Sequence, residues 1–432
     1  MKIAVVGGGS TYTPELADGL ARLRGRLAVD ELALMDTDLD RLEVVAGLCR
    51  RILANHGCTT VVTTTTSLPT AASGSAAVLL QIRVGGQSAR HQDESWPLSC
   101  GCIGQETTGA GGLAKALRTV PVINDIAARI KAVNPDAWII NFTNPVGIVT
   151  RSLLDEGHRV IGLCNVAIGV QRAVAGLLSV DPDRIDLTHV GLNHLSWELD
   201  VQLSEPDGSS ASVWADLLAQ HGAALAAEVE LPLSLLQRLD LLPSYYLRYF
   251  YEHDQLVLTA AGQPTRAQQV TKLERRLLAM YADPALTTKP TLLAERGGAY
   301  YSEAAVGLLA ALLGTDPSEL LVPLSSRHVV NIRNAGTLSF LPDDAVIETS
   351  AHVTSAGATA IAPPPVPPLL VGLIAHVSAY EQLALDAARH GGSERVFQAL
   401  LAHPLIGQTD TAEALTELLL THNEDWLPWA TA

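Results

Sequence analysis

The chain has 432 residues, of which 48 % are apolar, and a formal charge of −16. That length suggests two domains, and that apolar content supports a sizeable core and excludes disorder. The negative balance disfavours nucleic acid and anionic membranes as partners but leaves room for an anionic small molecule, held by a few arginines or a helix N-terminus. Lys2 to Val6 reads as a strand that breaks into Gly7, Gly8, Gly9 and Ser10, with no signal-peptide cleavage pattern. Thr13 and Pro14 then read as cap and first position of a helix carrying Leu16, Leu20, Leu23 and Leu27. A second strand, Glu31 to Met35, ends at Asp36, and helical sequence from Leu39 to Ala54 leads to a β-branched run, Thr59 to Thr65. The strand Ala76 to Ile82 precedes a long loop with Gly85, Gly86 and Arg90. A glycine patch, Gly109 to Gly112, opens a helix over Leu113 to Val133, and Ala137 to Phe142 and Arg159 to Leu163 read as buried strands.

Strands alternating with helices predict a Rossmann-type parallel sheet over residues 1–170. Beyond residue 170 a strand-like segment, Ile185 to Leu199, gives way to mostly helical sequence, so residues 171–432 form a second, α+β unit. Pro363 to Pro368 reads as a rigid connector and Leu370 to Leu420 as helices. The longest apolar runs, such as Pro368 to Val377, are too short to cross a bilayer. Five cysteines in so long a chain imply no disulfide framework; reduced thiols and a cytoplasmic location are the simplest reading.

The strand–glycine–helix start is where a dinucleotide pyrophosphate sits, because glycines admit the phosphates and the helix N-terminus offers free N–H donors. Gly7, Gly8, Gly9, Ser10 and Thr11 are the candidate loop, although the third glycine of the usual fingerprint is absent. Asp36 ends the second strand, where a carboxylate accepts from ribose hydroxyls and repels a 2′-phosphate, which favours NAD over NADP.

To this point the chain could be an NAD-dependent 2-hydroxy acid dehydrogenase. Further motifs redirect the reading: Arg83-Val84-Gly85-Gly86 with Arg90, then Gly104-Gln105-Glu106-Thr107-Thr108-Gly109, then Asn141-Phe142-Thr143-Asn144-Pro145. Cys164-Asn165-Val166, Gly191-Leu192-Asn193-His194 and Tyr245-Tyr246-Leu247-Arg248-Tyr249 follow. In this order they resemble the family 4 glycoside hydrolases, the NAD- and metal-dependent glycosidases. The resemblance implies a fold related to lactate and malate dehydrogenases and an oxidation–elimination reaction. Cys-Asn-Val resembles the 6-phospho-β-glucosidases, whose pattern usually continues with proline where this chain has Ala167.

Cys164 follows an apolar strand, so its thiol emerges at the carboxyl edge of the sheet, where α/β ligands bind. Read alone, Cys164 and His194 are better taken as a buried cysteine and a core histidine; the resemblance makes them metal ligands and suggests manganese, although thiolate and imidazole suit zinc or iron better. Tyr246 best fits the position of the family's base, with Tyr245 and Tyr249 as alternatives. Arg90, Asn144, Asn165 and Arg266 match positions that hold the sugar or its phosphate, and Glu106 is placed behind the metal or nicotinamide. The reading is hydrolysis of a 6-phospho-β-glucoside by a homodimer or homotetramer: oxidation at C3, loss of the C2 proton to Tyr246, elimination of the aglycone, water addition and re-reduction. Its rivals are the dehydrogenase and a non-catalytic NAD or sugar-phosphate binding protein.

Overall fold

The computed structural model describes residues 1–205, 208–297, 300–314 and 327–430. Among these, thirteen strands form one sheet. They are β1 (Lys2–Val6), β2 (Glu31–Met35), β3 (Val61–Thr65), β4 (Ala77–Leu80), β5 (Trp138–Asn141), β6 (Val160–Gly162), β7 (Ile185–Leu192), β8 (Leu195–Ser204), β9 (Ser210–Ser212), β10 (Leu242–Pro243), β11 (Arg327–Arg333), β12 (Val346–Thr354) and β13 (Gly357–Ala360). The first six pair in parallel in the order β3-β2-β1-β4-β5-β6. This order reverses between β1 and β4, which opens a crevice at the carboxyl ends of the strands. Asn331 of β11 then pairs antiparallel with Gly162 of β6, and the sheet runs on antiparallel through β12, β7, β8 and β10. No break in the sheet falls at residue 170; the change from parallel to antiparallel pairing lies between β6 and β11.

β4 and β5 are buried along their whole length, which is why they read as unbroken apolar runs. Alternation along β1 sends Ile3 and Val5 into the core on one face and Ala4 and Val6 into the core on the other. Both cores draw residues from both halves of the chain.

Several sequence expectations are corrected. Thr13 is not the helix cap: the helix Thr13–Arg22 starts with it, after Tyr12, and its hydroxyl accepts from Gln81 instead. The loop read after β4 contains a helix, Gly86–Ser95, which carries Arg90. The helix Gly109–Val133 begins at the glycine patch itself, because a Cβ at Gly111 would stand 2.4 Å from the Gln105 carbonyl oxygen. Glycine there lets the Gly104–Thr108 loop lie on the first turn of the helix. The segment read as one strand over 185–199 is the β7–β8 hairpin, with Asn193 and His194 at its turn. His194 has φ +63°, a conformation that costs a non-glycine residue strain and places its ring outside the pleat alternation. β11, β12 and β13 lie where helical sequence was expected; Val329, Val330, Ile332, Val346 and Ile347 are β-branched, and the antiparallel sheet takes them.

The apolar run from Pro368 continues as one helix, Pro368–His390. Among the described residues it is the one helix long and apolar enough to cross a membrane. Its buried Leu370, Ile374 and Tyr380 belong to the core it shares with the helix Gly109–Val133, as expected of a core helix.

Candidate active site

A cleft of about 1680 Å³ opens at the carboxyl ends of β1, β2, β4, β5 and β6. That is more than one drug-sized ligand needs and is suited to a dinucleotide beside a second small molecule. Gly7, Gly9, Ser10 and Asp36 line one end, and Cys164, Asn165, His194 and Tyr246 line another part of the same space. Arg90, Glu106, Asn144 and Arg266 also face it. Gly8 and Thr11 do not line it: the Gly8 amide donates to the Met35 carbonyl at 2.8 Å, and Thr11 is fully buried.

The glycine loop is shaped by contact. Gly7 has φ +89°, and a Cβ on it would meet the Gln81 carbonyl oxygen at 2.7 Å. Asp36 accepts from the Gly9 amide at 2.8 Å and the Asp38 amide at 3.2 Å, so the acid at the end of β2 also fixes the loop. Arg41 donates to the Gly9 carbonyl at 2.7 Å from the other side.

The thiol of Cys164 sits just beyond β6. Burial pushes it up to about 12, helped by the Glu348 carboxylate, while amides of Val166 and Asn165 and the side chain of Asn193 act the other way. Burial pulls His194 down to about 4, so its ring is neutral at physiological pH. A neutral imidazole is the form that ligates a metal. The Nδ1 atom of His194 lies 2.8 Å from the Thr107 hydroxyl. The ring stacks on that of Tyr246, with centroids 3.5 Å apart and planes 9° from parallel. Burial raises the Tyr246 phenol well above its ordinary range, and Cys164, Tyr249, Glu106 and Tyr245 add to the effect. Tyr245 and Tyr249 stand 5.5 and 6.1 Å from the Tyr246 ring, and Arg248 lies 4.4 and 5.1 Å from their own ring centroids.

Behind Cys164 and His194 lies a buried network that the sequence did not reveal. His189 bonds Glu198 at 2.7 Å and Glu348 at 3.1 Å, and Asn193 and Asn331 donate to the second oxygen of Glu348. Burial opposes charge on His189, but the two carboxylates win and raise it to about 10. Nothing local in β12 marks Glu348 as special. Asn193, next to His194, was within reach of sequence reading.

Glu106 is a hub of charge. It pairs with Arg83, with Lys115 at 2.9 Å and with Arg90 at 3.0 Å. Burial alone would raise its carboxyl, yet Arg83, Lys115 and Arg90 together hold it well below the usual range. Lys115 is drawn down to about 7, by burial first and by Arg83 second. A lysine inside the apolar Leu113–Val120 stretch was the sequence signal for this cluster. Arg90 also bonds Glu94 at 2.7 Å, so two carboxylates hold its guanidinium. Arg266 opens the helix Arg266–Tyr281, is exposed, and bonds the Glu295 carbonyl at 2.8 Å and Gln269 at 3.3 Å. Ala167 is buried beside a small cavity of about 80 Å³ behind Cys164, not in the main cleft.

The model of the family 4 glycosyl hydrolases matches residues 2–180, and the model of their C-terminal domain matches residues 189–406. The chain belongs to this family. It is 36 % identical over 443 residues to a probable 6-phospho-β-glucosidase of Bacillus subtilis, covering 99 % of this chain and 97 % of that one. The 6-phospho-β-glucosidase of Thermotoga maritima, solved with NAD and glucose-6-phosphate, superimposes with a TM-score of 0.90 at 31 % identity, over 99 % of both chains. A second form of it, with manganese, NAD⁺ and glucose-6-phosphate, gives a TM-score of 0.87 at 30 % identity, again over 99 % of both chains. Malate dehydrogenase of Salinibacter ruber shares the fold alone, with a TM-score of 0.50 at 14 % identity over 90 % of this chain and 98 % of that one. The chain is therefore a glycosidase with a lactate/malate dehydrogenase-like α/β fold.

Proposed function

We propose that this glycosidase hydrolyses 6-phospho-β-glucosides with NAD and a divalent metal, manganese by similarity. The observation that carries the reading is that Cys164, His194 and Tyr246 face the same cleft as the Gly7–Ser10 loop and Asp36. The residues fit both groups. The glycine cradle has no room for a Cβ at Gly7. The buried Oδ1 of Asn144 has no partner among the described residues and faces the cleft. Thiol and neutral imidazole supply two donors and leave coordination positions for substrate oxygens. Residues 1–170 would hold NAD and residues 171–432 would complete the substrate and metal site, a division that the two family-model matches support.

When bound, NAD supplies a reversible hydride acceptor for C3 of the sugar, and the metal supplies positive charge beside the C2 and C3 oxygens. Cys164 and His194 hold that charge in place. Asn144 and Asn165 orient the sugar, and Arg266 holds its phosphate. Arg90, fixed by Glu94 and Glu106, lines the sugar site. Tyr246 takes the C2 proton once C3 is at the ketone level, and the aglycone leaves C1 by elimination. Five free cysteines support a reducing, cytoplasmic setting. A homodimer or homotetramer is proposed from the family resemblance alone.

The test is a chromogenic aryl 6-phospho-β-glucoside with NAD⁺ and Mn²⁺. The expected result is turnover that requires both and accumulates no NADH. Stoichiometric NADH would establish the dehydrogenase, and NAD binding without turnover would establish the binding protein.

A further inference from the structure

Gln105 and Thr107 flank Glu106 in the Gly104–Gly109 block and take no part in the chemistry above. The Thr107 amide donates to Gln105 Oε1 at 2.5 Å. An amide N–H cannot donate to an NH₂ group, so this bond fixes which end of the Gln105 amide faces Thr107. The Thr107 hydroxyl lies 2.7 Å from the same oxygen. That oxygen only accepts, so the single hydroxyl proton of Thr107 points to it. Toward His194 Nδ1, 2.8 Å away, Thr107 Oγ1 then offers only a lone pair. Nδ1 must carry the ring proton, and the free lone pair falls on Nε2.

From this chain of single-proton choices we propose that Gln105 and Thr107 are positioning residues that hold His194 in the Nδ1–H tautomer and present Nε2 to the metal. The inference rests on the reading of His194 as a ligand. The relay crosses the molecule: Thr107 precedes the helix Gly109–Val133, whereas His194 lies 87 residues later in the β7–β8 turn. The turn places His194 in a left-handed conformation between the two strands of the hairpin. Tyr246 fixes the ring's plane by stacking, which leaves the proton's position to Thr107. Gly111 keeps the Gln105 backbone close to the helix and so holds the start of the relay.

Thr107→Val keeps the branched shape and removes the hydroxyl; Thr107→Ser keeps the hydroxyl. In the full-length, NAD-bound protein, Mn²⁺ affinity read from free Mn²⁺ by electron paramagnetic resonance should weaken about 10- to 100-fold in Thr107→Val, the range for losing such a partner. Thr107→Ser should recover most of that loss, while NAD affinity and melting temperature stay near the parent's in both. Nitrogen-15 NMR of the metal-free, NAD-bound protein should show His194 protonated at Nδ1 in the parent and a shift toward Nε2–H in Thr107→Val. An unchanged Mn²⁺ affinity in Thr107→Val, or equal weakening in both variants, would overturn the proposal. So would an Nε2–H ring in the parent, and this arm needs no metal. A parent that bound no Mn²⁺ would refute the ligand role of His194, leaving the tautomer to decide whether the relay exists.

Discussion

Replacing Arg266 and Arg90 separately should produce two different losses, because their surroundings differ. Arg266 is exposed and bonds a carbonyl and an amide oxygen, so a phosphate can take its guanidinium without breaking either of these as an ion pair. A charge-assisted contact contributes about 1.5–3 kcal/mol, and exposure puts this one at the lower end, about tenfold in kcat/KM. Arg90 is held by Glu94 and Glu106. Its removal leaves Glu94 with the Ala267 amide at 2.8 Å and Glu106 with Arg83 and Lys115. Neither carboxylate is stranded, so the destabilisation should stay below the roughly 3–5 kcal/mol seen when a buried charge loses its only partner. Arg266→Ala should therefore lose about tenfold on an aryl 6-phospho-β-glucoside and weaken inhibition by glucose-6-phosphate to match, with little change in melting temperature. Arg90→Ala should melt lower and lose activity on phosphorylated and unphosphorylated glucosides alike. The assay is kcat/KM on the matched pair of substrates together with a melting curve. Equal loss on both substrates in Arg266→Ala, or loss in Arg90→Ala confined to the phosphorylated one, would refute the assignment.

Cys164→Ser should weaken Mn²⁺ binding in a dialysis assay while NAD titrates as in the parent; unchanged metal content would remove Cys164 from the ligand set. Tyr246→Phe should abolish deuterium incorporation at C2 in D₂O and turnover together, with NAD and metal binding retained; equal exchange in the variant would move the base to Tyr245 or Tyr249. His189 is raised from its ordinary value to about 10 in the fold, so the stability it contributes is complete below about pH 6.5 and lost as pH rises through 10. The difference in melting temperature between the parent and His189→Gln should shrink over that range, and a constant difference would show that the ring is neutral.

The parallel half of the fold was legible because inner strands such as β1, β4 and β5 are buried on both faces, the edge strand β3 is β-branched, and glycine or polar punctuation follows, as at Gly7, Asp36 and Asn144. The antiparallel half was legible only over Ile185 to Leu199, the β7–β8 segment. β11 and β12 carry polar residues such as Asn331 and Glu348 inward, and β12 pairs with β7 far away in sequence; Glu348 lies opposite Gly191. The cleft residues that stood in local motifs were visible, including Cys164, His194 and Tyr246. Those defined by tertiary contact were not: no spacing rule joins Thr107 to His194 or Glu348 to Asn193. Lys115 is intermediate, since a lysine in an apolar helical stretch signals burial but does not name its partner.

The electrostatics of the site tie Tyr246 to Cys164 and His194. Burial disfavours the phenolate of Tyr246 and the thiolate of Cys164, and Cys164 further disfavours the Tyr246 phenolate. Two carboxylates nearby, Glu106 and Glu348, act in the same direction on these two groups respectively. The protein's own cations do not reverse this: Arg83, Arg90 and Lys115 are committed to Glu106, and His189 to Glu198 and Glu348. Without added positive charge, thiol and phenol both stay protonated. A divalent ion held by Cys164 and His194 would lie beside the Tyr246 ring, which stacks on His194, and would favour both anions at once. If Cys164 and His194 hold the metal, proton abstraction by Tyr246 would be available only in the loaded site.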